Sequence, residues 1–324
     1  MEILVLHPGA LGDIILSLPA LRVLHDHFSD ARITLAANAD YAAAAASGYA
    51  DRILSLDTLP LHHLYTSMPL PPAELQFWRS YDRVVSWTGS GSSTFSENLS
   101  RVHSSVLVGN WKPGNQETRH VVRLFIDSLQ SWLPVPPEPP EIEIRVDPSI
   151  CTKAEEWLQG QGWNGIDPIL AMHPGAGSVA KRWPVEGFRQ LGRTLSHEGS
   201  ILVIEGPAEF GLGSDLASLL GPGTWLASHL PLPLLTAVLS HCRLYIGNDS
   251  GISHLAAGLK VPGVILFGPT APDLWAPLGP NVSILRSGPG CDACRRLEGS
   301  EFFCLHALPF ERVRNGIRSI LSSS

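Results

Sequence analysis

The stretch Ile3-Leu-Val-Leu-His-Pro-Gly-Ala10 returns as Ile169-Leu-Ala-Met-His-Pro-Gly-Ala176, with six of eight positions identical and half the chain between the copies. Each copy is an apolar run of strand length that breaks at His-Pro-Gly and leads into a helix-like segment, which is the pattern of a βα unit. A repeat at this separation implies a fold built twice. Open parallel sheets present ligand-binding loops at the carboxyl ends of their strands, so each copy is expected to set its loop at such an edge, the two halves facing across a cleft.

Outward from the first copy, strands are expected near Ile3–Leu6, Arg32–Ala36, Arg52–Leu56, Arg83–Trp87 and Ser105–Val108, with helix-length segments between them, including the alanine-rich Tyr41–Ser47. From the second copy they are expected near Ile169–Met172, Ile201–Glu205, Trp225–Ala227, Leu244–Ile246, Val264–Phe267 and Val282–Leu285, with helices near Val185–His197 and Ile252–Leu259. The alternation is that of an α/β protein with parallel sheets. Between the halves runs Leu133-Pro-Val-Pro-Pro-Glu-Pro-Pro-Glu-Ile-Glu-Ile-Arg-Val-Asp-Pro148, whose prolines stiffen an extended connection and mark a domain boundary. The expected division is 1–148 and 149–308, followed by a closing helix in 309–324 that carries Val313, Ile317 and Ile320 or Leu321 at helical spacing.

The 324 residues, 44% hydrophobic and 16% charged, supply material for two cores. Net charge is 23 − 30 = −7 with no long basic run, which argues against a nucleic-acid surface and for anions held by a few placed donors. The chain opens directly on a strand and carries no uninterrupted apolar run of spanning length, so a cytoplasmic location is expected. Five cysteines are no disulfide framework. Cys291-Asp-Ala-Cys294 and Cys304-Leu-His306 offer three thiols and an imidazole to a zinc ion, although the second pair lacks the usual two-residue gap.

Three segments carry candidate chemistry. In the first, Gly9 and Gly12 let backbone approach another molecule, and Asp13 follows at the start of a helix-like run. Asp13 reads either as an N-cap or as a carboxylate aimed into the cleft; Pro19 favours the second, since a helix that kinks there or starts near Ser17 would release Asp13 from capping. In the second, His173-Pro-Gly-Ala-Gly-Ser178-Val-Ala-Lys181-Arg-Trp-Pro184 combines small residues, a hydroxyl and an ammonium just ahead of a helix, a compact anion site without Walker spacing. In the third, Tyr245-Ile-Gly-Asn-Asp249-Ser250-Gly251-Ile-Ser-His254 turns from strand to helix and leaves N–H groups at Ser250 and Gly251 for a pyrophosphate, unless Asp249 or Ser250 caps them. There is no H-E-x-x-H, G-x-S-x-G or aspartate-x-aspartate motif, so neither a metal nor a cofactor is expected in the reaction. Neither glycine-rich loop has G-x-G-x-x-G spacing, which disfavours a dinucleotide-dependent oxidoreductase.

Gly12-Asp13 with its apolar run to Pro19-Ala-Leu21, Lys181-Arg-Trp-Pro184, Asn248-Asp-Ser-Gly-Ile-Ser-His-Leu-Ala-Ala257 and Phe267-Gly-Pro-Thr-Ala-Pro-Asp-Leu-Trp-Ala-Pro277 together resemble the ADP-heptose:lipopolysaccharide heptosyltransferases, glycosyltransferase family 9. The resemblance implies a GT-B architecture of two Rossmann-like domains, acceptor side first and nucleotide-sugar side second, with the last helix crossing back to the first domain. It implies metal-independent, inverting transfer of a heptose from ADP-heptose to a lipid-linked saccharide acceptor of lipopolysaccharide-core type. Asp13 would be the general base, and Gly12 a loop residue approaching substrate. Ser178, Lys181, Asp249, Ser250, Gly251 and His254 would bind the donor, with Glu209 of Gly206-Pro-Ala-Glu209 on its ribose. A lipid-linked acceptor would bring the protein to the inner face of the cytoplasmic membrane. The stretch Leu56 to Trp78 is expected to be irregular and to help line the acceptor side, yet it holds no lysine or arginine before Arg79; Lys112, Arg119 and Arg123 are the other candidates in this half for meeting an acidic acceptor. The alternatives are a transferase for another nucleotide sugar and a nucleotide-sugar-binding protein without catalysis.

Overall fold

The structure is a computed structural model and describes residues 1–286 and 305–323. The chain divides into two compact units, Met1–Arg145 and Val146–Ser324. The first holds β1 (Glu2–Leu6), β2 (Arg32–Ala37), β3 (Arg52–Ser55), β4 (Arg83–Ser86) and β5 (Val106–Val108) in the order β3-β2-β1-β4-β5. The second holds β6 (Ile169–His173), β7 (Ser200–Glu205), β8 (Thr224–Ser228), β9 (Leu244–Asn248), β10 (Gly263–Phe267) and β11 (Val282–Arg286) in the order β11-β10-β9-β6-β7-β8. Every pairing is parallel. The strands of the repeat, β1 and β6, occupy the same place in both sheets: the chain winds one way from them through the next two strands, then returns to their other side. In open parallel sheets ligands bind where the strand order reverses in this way, which here is beyond the carboxyl ends of β1 and β4 and beyond those of β6 and β9.

Helices cover the faces: α1 (Leu11–His27), α2 (Ala39–Ala45), α3 (Pro72–Arg79), α4 (Ser93–Val102) and α5 (Val121–Asp127) in the first unit, then α6 (Pro148–Gly160), α7 (Val185–Leu195), α8 (Leu212–Leu220), α9 (Leu232–Ser240), α10 (Gly251–Gly258), α11 (Pro272–Trp275) and α12 (Phe310–Ser323) in the second. With both faces covered, the central strands read as unbroken apolar runs; Ile3, Leu4, Val5 and Leu6 are each 0% exposed.

Two expectations are corrected. Pro19 neither stops α1 nor delays its start, since the helix begins at Leu11 and runs through Pro19 to His27. A proline inside a helix costs about 3 kcal/mol. Here that cost is offset by burial, because Ile14 to Leu21 are all buried. The last helix buries Val313 and Ile317 in the core of the second unit, with Leu170, Met172, Leu266 and Leu308, against β10 and β11. The stretch Leu56 to Trp78 is more regular than expected: it contains two 3-10 turns and most of α3, and it sends Leu64 and Trp78, both 0% exposed, into the first core. Among the described residues no helix is long and apolar enough to cross a membrane.

Candidate functional site

At the carboxyl end of β1 the chain passes through His7, Pro8, Gly9 and Ala10 into α1. The His7 ring is fully buried against Phe125 and Trp111, at 5.4 and 5.8 Å between centroids, with Trp87 at its edge. Its Nδ1 accepts the Gly9 N–H at 3.0 Å. Burial pushes the imidazole down to about 3, so the ring is neutral and can act as that acceptor. Asp13 lies in the first turn of α1, and its Oδ2 accepts the Ala10 N–H at 2.8 Å. The aspartate is thus neither an N-cap nor released from the helix start: it is partly exposed, its orientation set by a backbone donor at the positive end of the helix. Gly9 is required here, since a Cβ at that position would lie 2.5 Å from Asp13 Cβ and 2.6 Å from His7 Cε1.

The His7 environment has a consequence for stability. In the unfolded chain this imidazole protonates near pH 6.5, whereas in the fold it does so only near pH 3. The unfolded state therefore binds more protons between those limits, and stability falls as the pH is lowered through them, by about 2 kcal/mol at pH 5. Urea midpoints measured at pH 7 and pH 5 should show that loss. His7→Asn, which keeps an acceptor but cannot titrate, should flatten the dependence, and an equally steep profile in the variant would assign the loss to other groups.

The corresponding edge of the second unit brings together loops that are far apart in sequence. Asn248, 0% exposed at the end of β9, accepts the Trp183 N–H at 3.0 Å and donates to the Pro174 carbonyl at 2.8 Å and the Gly175 carbonyl at 3.3 Å. It fastens the loop after β6 to the loop after β9. His173 Nε2 donates to Glu209 Oε1 at 2.8 Å, and its Nδ1 meets Ser250 Oγ at 3.2 Å. Glu209 Oε1 also accepts the Gly206 N–H at 2.8 Å. Burial alone would push this carboxyl up, but the His173 ring, the Gly206 N–H and Arg182 outweigh it and hold the group below the usual carboxylate range, as an anion. Arg182 donates to the carbonyls of Ala176 and Ala208, tying the glycine-rich loop to the turn that carries Glu209.

On this frame Lys181 Nζ lies 2.8 Å from Asp249 Oδ2, with the lysine side chain 33% exposed and the aspartate 7%. Ser250 is extended and makes no side-chain cap on α10; its hydroxyl turns to His173 and Ser253 instead. Both capping alternatives therefore fall away: Asp249 is paired with Lys181, and the α10 start at Gly251 is left partly exposed. Ser178 is exposed just ahead of the 3-10 turn that ends at Lys181, and His254 is buried on the first turn of α10. The arrangement combines one cation with uncapped N–H groups in a small space, which suits a diphosphate. Of the expected donor residues, the structure groups Lys181, Asp249, Ser250, Gly251 and His254, and it sets Glu209 behind them against His173. Asp13 and Gly12 belong to the other unit. Sequence reasoning missed His173, Arg182 and Asn248 as parts of the site, although the exact return of His-Pro-Gly and a polar asparagine closing an apolar strand were signals. Cys291, Cys294 and Cys304 lie outside the described residues, and His306 is exposed.

The family model "Glycosyltransferase family 9 (heptosyltransferase)" matches residues 87–302. Lipopolysaccharide heptosyltransferase 2 of Salmonella typhimurium is 30% identical over 164 residues, 48% of this chain and 47% of that protein. The chain thus spans about half the length of such a relative. Among solved structures, a family 9 glycosyltransferase of Veillonella parvula superposes with a TM-score of 0.81 at 20% identity, covering 100% of this chain and 98% of the other. The E. coli ADP-heptose lps heptosyltransferase II does so with 0.73 at 19% identity, covering 100% and 99%. At such identities the superpositions speak for the fold, which is GT-B.

Proposed function

We propose, on the premise that this chain belongs to glycosyltransferase family 9, the heptosyltransferases, that it moves a heptose from ADP-heptose to a saccharide acceptor of lipopolysaccharide-core type, with inversion and with Asp13 as general base. One observation carries the reading: the two copies of the repeat set opposite chemistry at corresponding sheet edges, a backbone-oriented carboxylate after β1 and a lysine beside a bare helix start at the β6 and β9 edge. In the proposed reaction the acceptor oxygen attacks the anomeric carbon and its proton passes to Asp13. The bond from that carbon to the diphosphate breaks on the opposite face, and ADP leaves with the electron pair. Negative charge grows on the departing diphosphate, and in this reading Lys181 and the N–H groups at the start of α10 receive it. Lys181 exchanges Asp249 for phosphate oxygens as the donor binds. Ser178 contributes a hydroxyl at the loop, His254 packs beneath the helix start, and Gly12 lets substrate approach Asp13. Glu209 supports the site by holding His173, a role that goes with its burial better than a direct bond to ribose. A lipid-linked acceptor would draw the protein to the membrane surface.

The test is a thermal-shift panel of nucleotides and nucleotide sugars followed by a transfer assay. A ligand bound by the folded state alone raises its stability by mass action. ADP and ADP-heptose should shift the transition where UDP and GDP do not, and product should form with the opposite anomeric configuration. A preference for UDP or GDP would replace the donor, and binding without turnover on any saccharide would replace the enzyme with a binding protein. Lys181→Ala should weaken ADP binding roughly ten- to hundredfold, the size of a lost charge-assisted contact, and it leaves the Asp249 carboxylate facing the phosphates. Unchanged affinity by calorimetry would remove Lys181 from the donor site.

A further inference from the structure

His62 and His63 stand side by side in the 3-10 turn His62–Tyr65, and Glu74 faces them from the first turn of α3. His63 Nδ1 lies 2.8 Å from Glu74 Oε1, and the two imidazole rings are 3.7 Å apart between centroids. One nitrogen from each histidine and one carboxylate oxygen fall within 4.8 Å of one another, and no other described His, Cys, Asp and Glu side chains group in this way. The second carboxylate oxygen of Glu74 is buried without a hydrogen-bond partner. We propose that these three side chains form a binding site for a divalent transition metal of the zinc class, apart from the donor and general-base residues.

The donor set and its support both favour this assignment. Two imidazoles and a carboxylate match zinc in hardness, and three protein ligands leave a fourth position for water. Tetrahedral zinc holds its ligand atoms about 3.3 Å apart, so His62 must move inward while the His63–Glu74 pair, at 2.8 Å, opens slightly. His62 is the exposed member and can swing inward, while His63 and Glu74, at 18% and 15% exposure, are already in contact. The backbone under them is fixed. Leu64 is 0% exposed, Asn98 donates to the carbonyls of Leu64 and Thr66 at 3.1 and 2.7 Å, and Trp78 anchors the far end of α3 in the same core. A bound metal would replace the His63–Glu74 hydrogen bond and fill the coordination that Glu74 Oε2 lacks. It would clasp the 3-10 turn His62–Tyr65 to the first turn of α3, within the connection between β3 and β4.

The experiment is a titration of the full chain, stripped with a chelator, using Zn²⁺ in calorimetry and Co²⁺ in visible absorption. The wild type should bind one equivalent that His63→Ala and Glu74→Gln each weaken at least tenfold, and His62→Ala should weaken it as well. The cobalt lost with those variants should show no sulfur-to-metal charge transfer, which separates it from any ion held by thiols. Zn²⁺ should also raise the melting temperature of the wild type more than that of either variant, and circular dichroism shows whether the variants fold. Equal stoichiometry and affinity in wild type and variants would overturn the site, as would the absence of any equivalent lacking thiolate character. The result does not depend on transfer activity, so it stands or falls apart from the proposed function.

Discussion

Asp13→Asn is expected to lower the rate of transfer roughly 10²–10⁴-fold, the usual contribution of a positioned base, while ADP affinity stays unchanged. The two halves of that expectation have separate physical origins. Asparagine keeps the size of the side chain and an oxygen able to accept the Ala10 N–H, so the start of α1 and the Gly9 turn should persist. What it cannot do is take a proton. Because Lys181, Ser250 and the α10 start lie in the other compact unit, the nucleotide should bind as before. Single-turnover transfer with calorimetry on the same preparation checks both parts. Turnover near that of the wild type would remove Asp13 from the reaction, and a joint loss of rate and ADP affinity would make it a structural residue. Asp13→Ala is the less informative variant, since it also strips the acceptor of the Ala10 N–H from the helix start and should cost about 0.5–1.5 kcal/mol of stability.

The frame of this protein was legible because its signals are local. A strand covered on both faces must be apolar throughout, and Ile3–Leu6 and Ile169–Met172 announce themselves for that reason. The repeat then locates the two loops that matter. Pro19 misled because propensity is a local cost, whereas the burial that offsets it is supplied by the rest of the unit. Val313 and Ile317 declared an apolar face but not its destination, which is settled by packing against β10 and β11. Asn248 reaches Pro174 and Trp183 across 74 and 65 residues, and His173 reaches Glu209 across 36. Spacing along the chain carries no trace of such pairings. The His63 and Glu74 contact was hidden in the same way, inside a stretch whose prolines suggested an irregular loop.

The repeat also permits one substitution to be made twice, with opposite expected signatures. A Cβ at Gly9 would stand 2.5 Å from Asp13 Cβ, and a Cβ at Gly175 would stand 2.5 Å from Glu209 Cγ and closer still to its carboxylate. Neither neighbour can give way cheaply. Asp13 is held to the Ala10 N–H, and Glu209, 6% exposed, is held to His173 and the Gly206 N–H. Gly9→Ala should therefore push the carboxylate out of line, and a displacement of about 1 Å in a reacting group can cost roughly 10²-fold in rate. ADP affinity should not follow, because nothing on the nucleotide side has moved. Gly175→Ala should instead dislodge Glu209 and with it the His173 ring that meets Ser250, which loosens the loop carrying Asp249 and Ser250. Overpacking of this kind costs about 1–3 kcal/mol, and ADP binding should weaken roughly tenfold or more as the anion site loses its order. Measuring rate and ADP affinity for both variants makes each the control of the other. If Gly175→Ala left ADP affinity intact and lowered only the rate, or Gly9→Ala weakened ADP binding while sparing turnover, the assignment of donor and base to the two sheet edges would have to be exchanged.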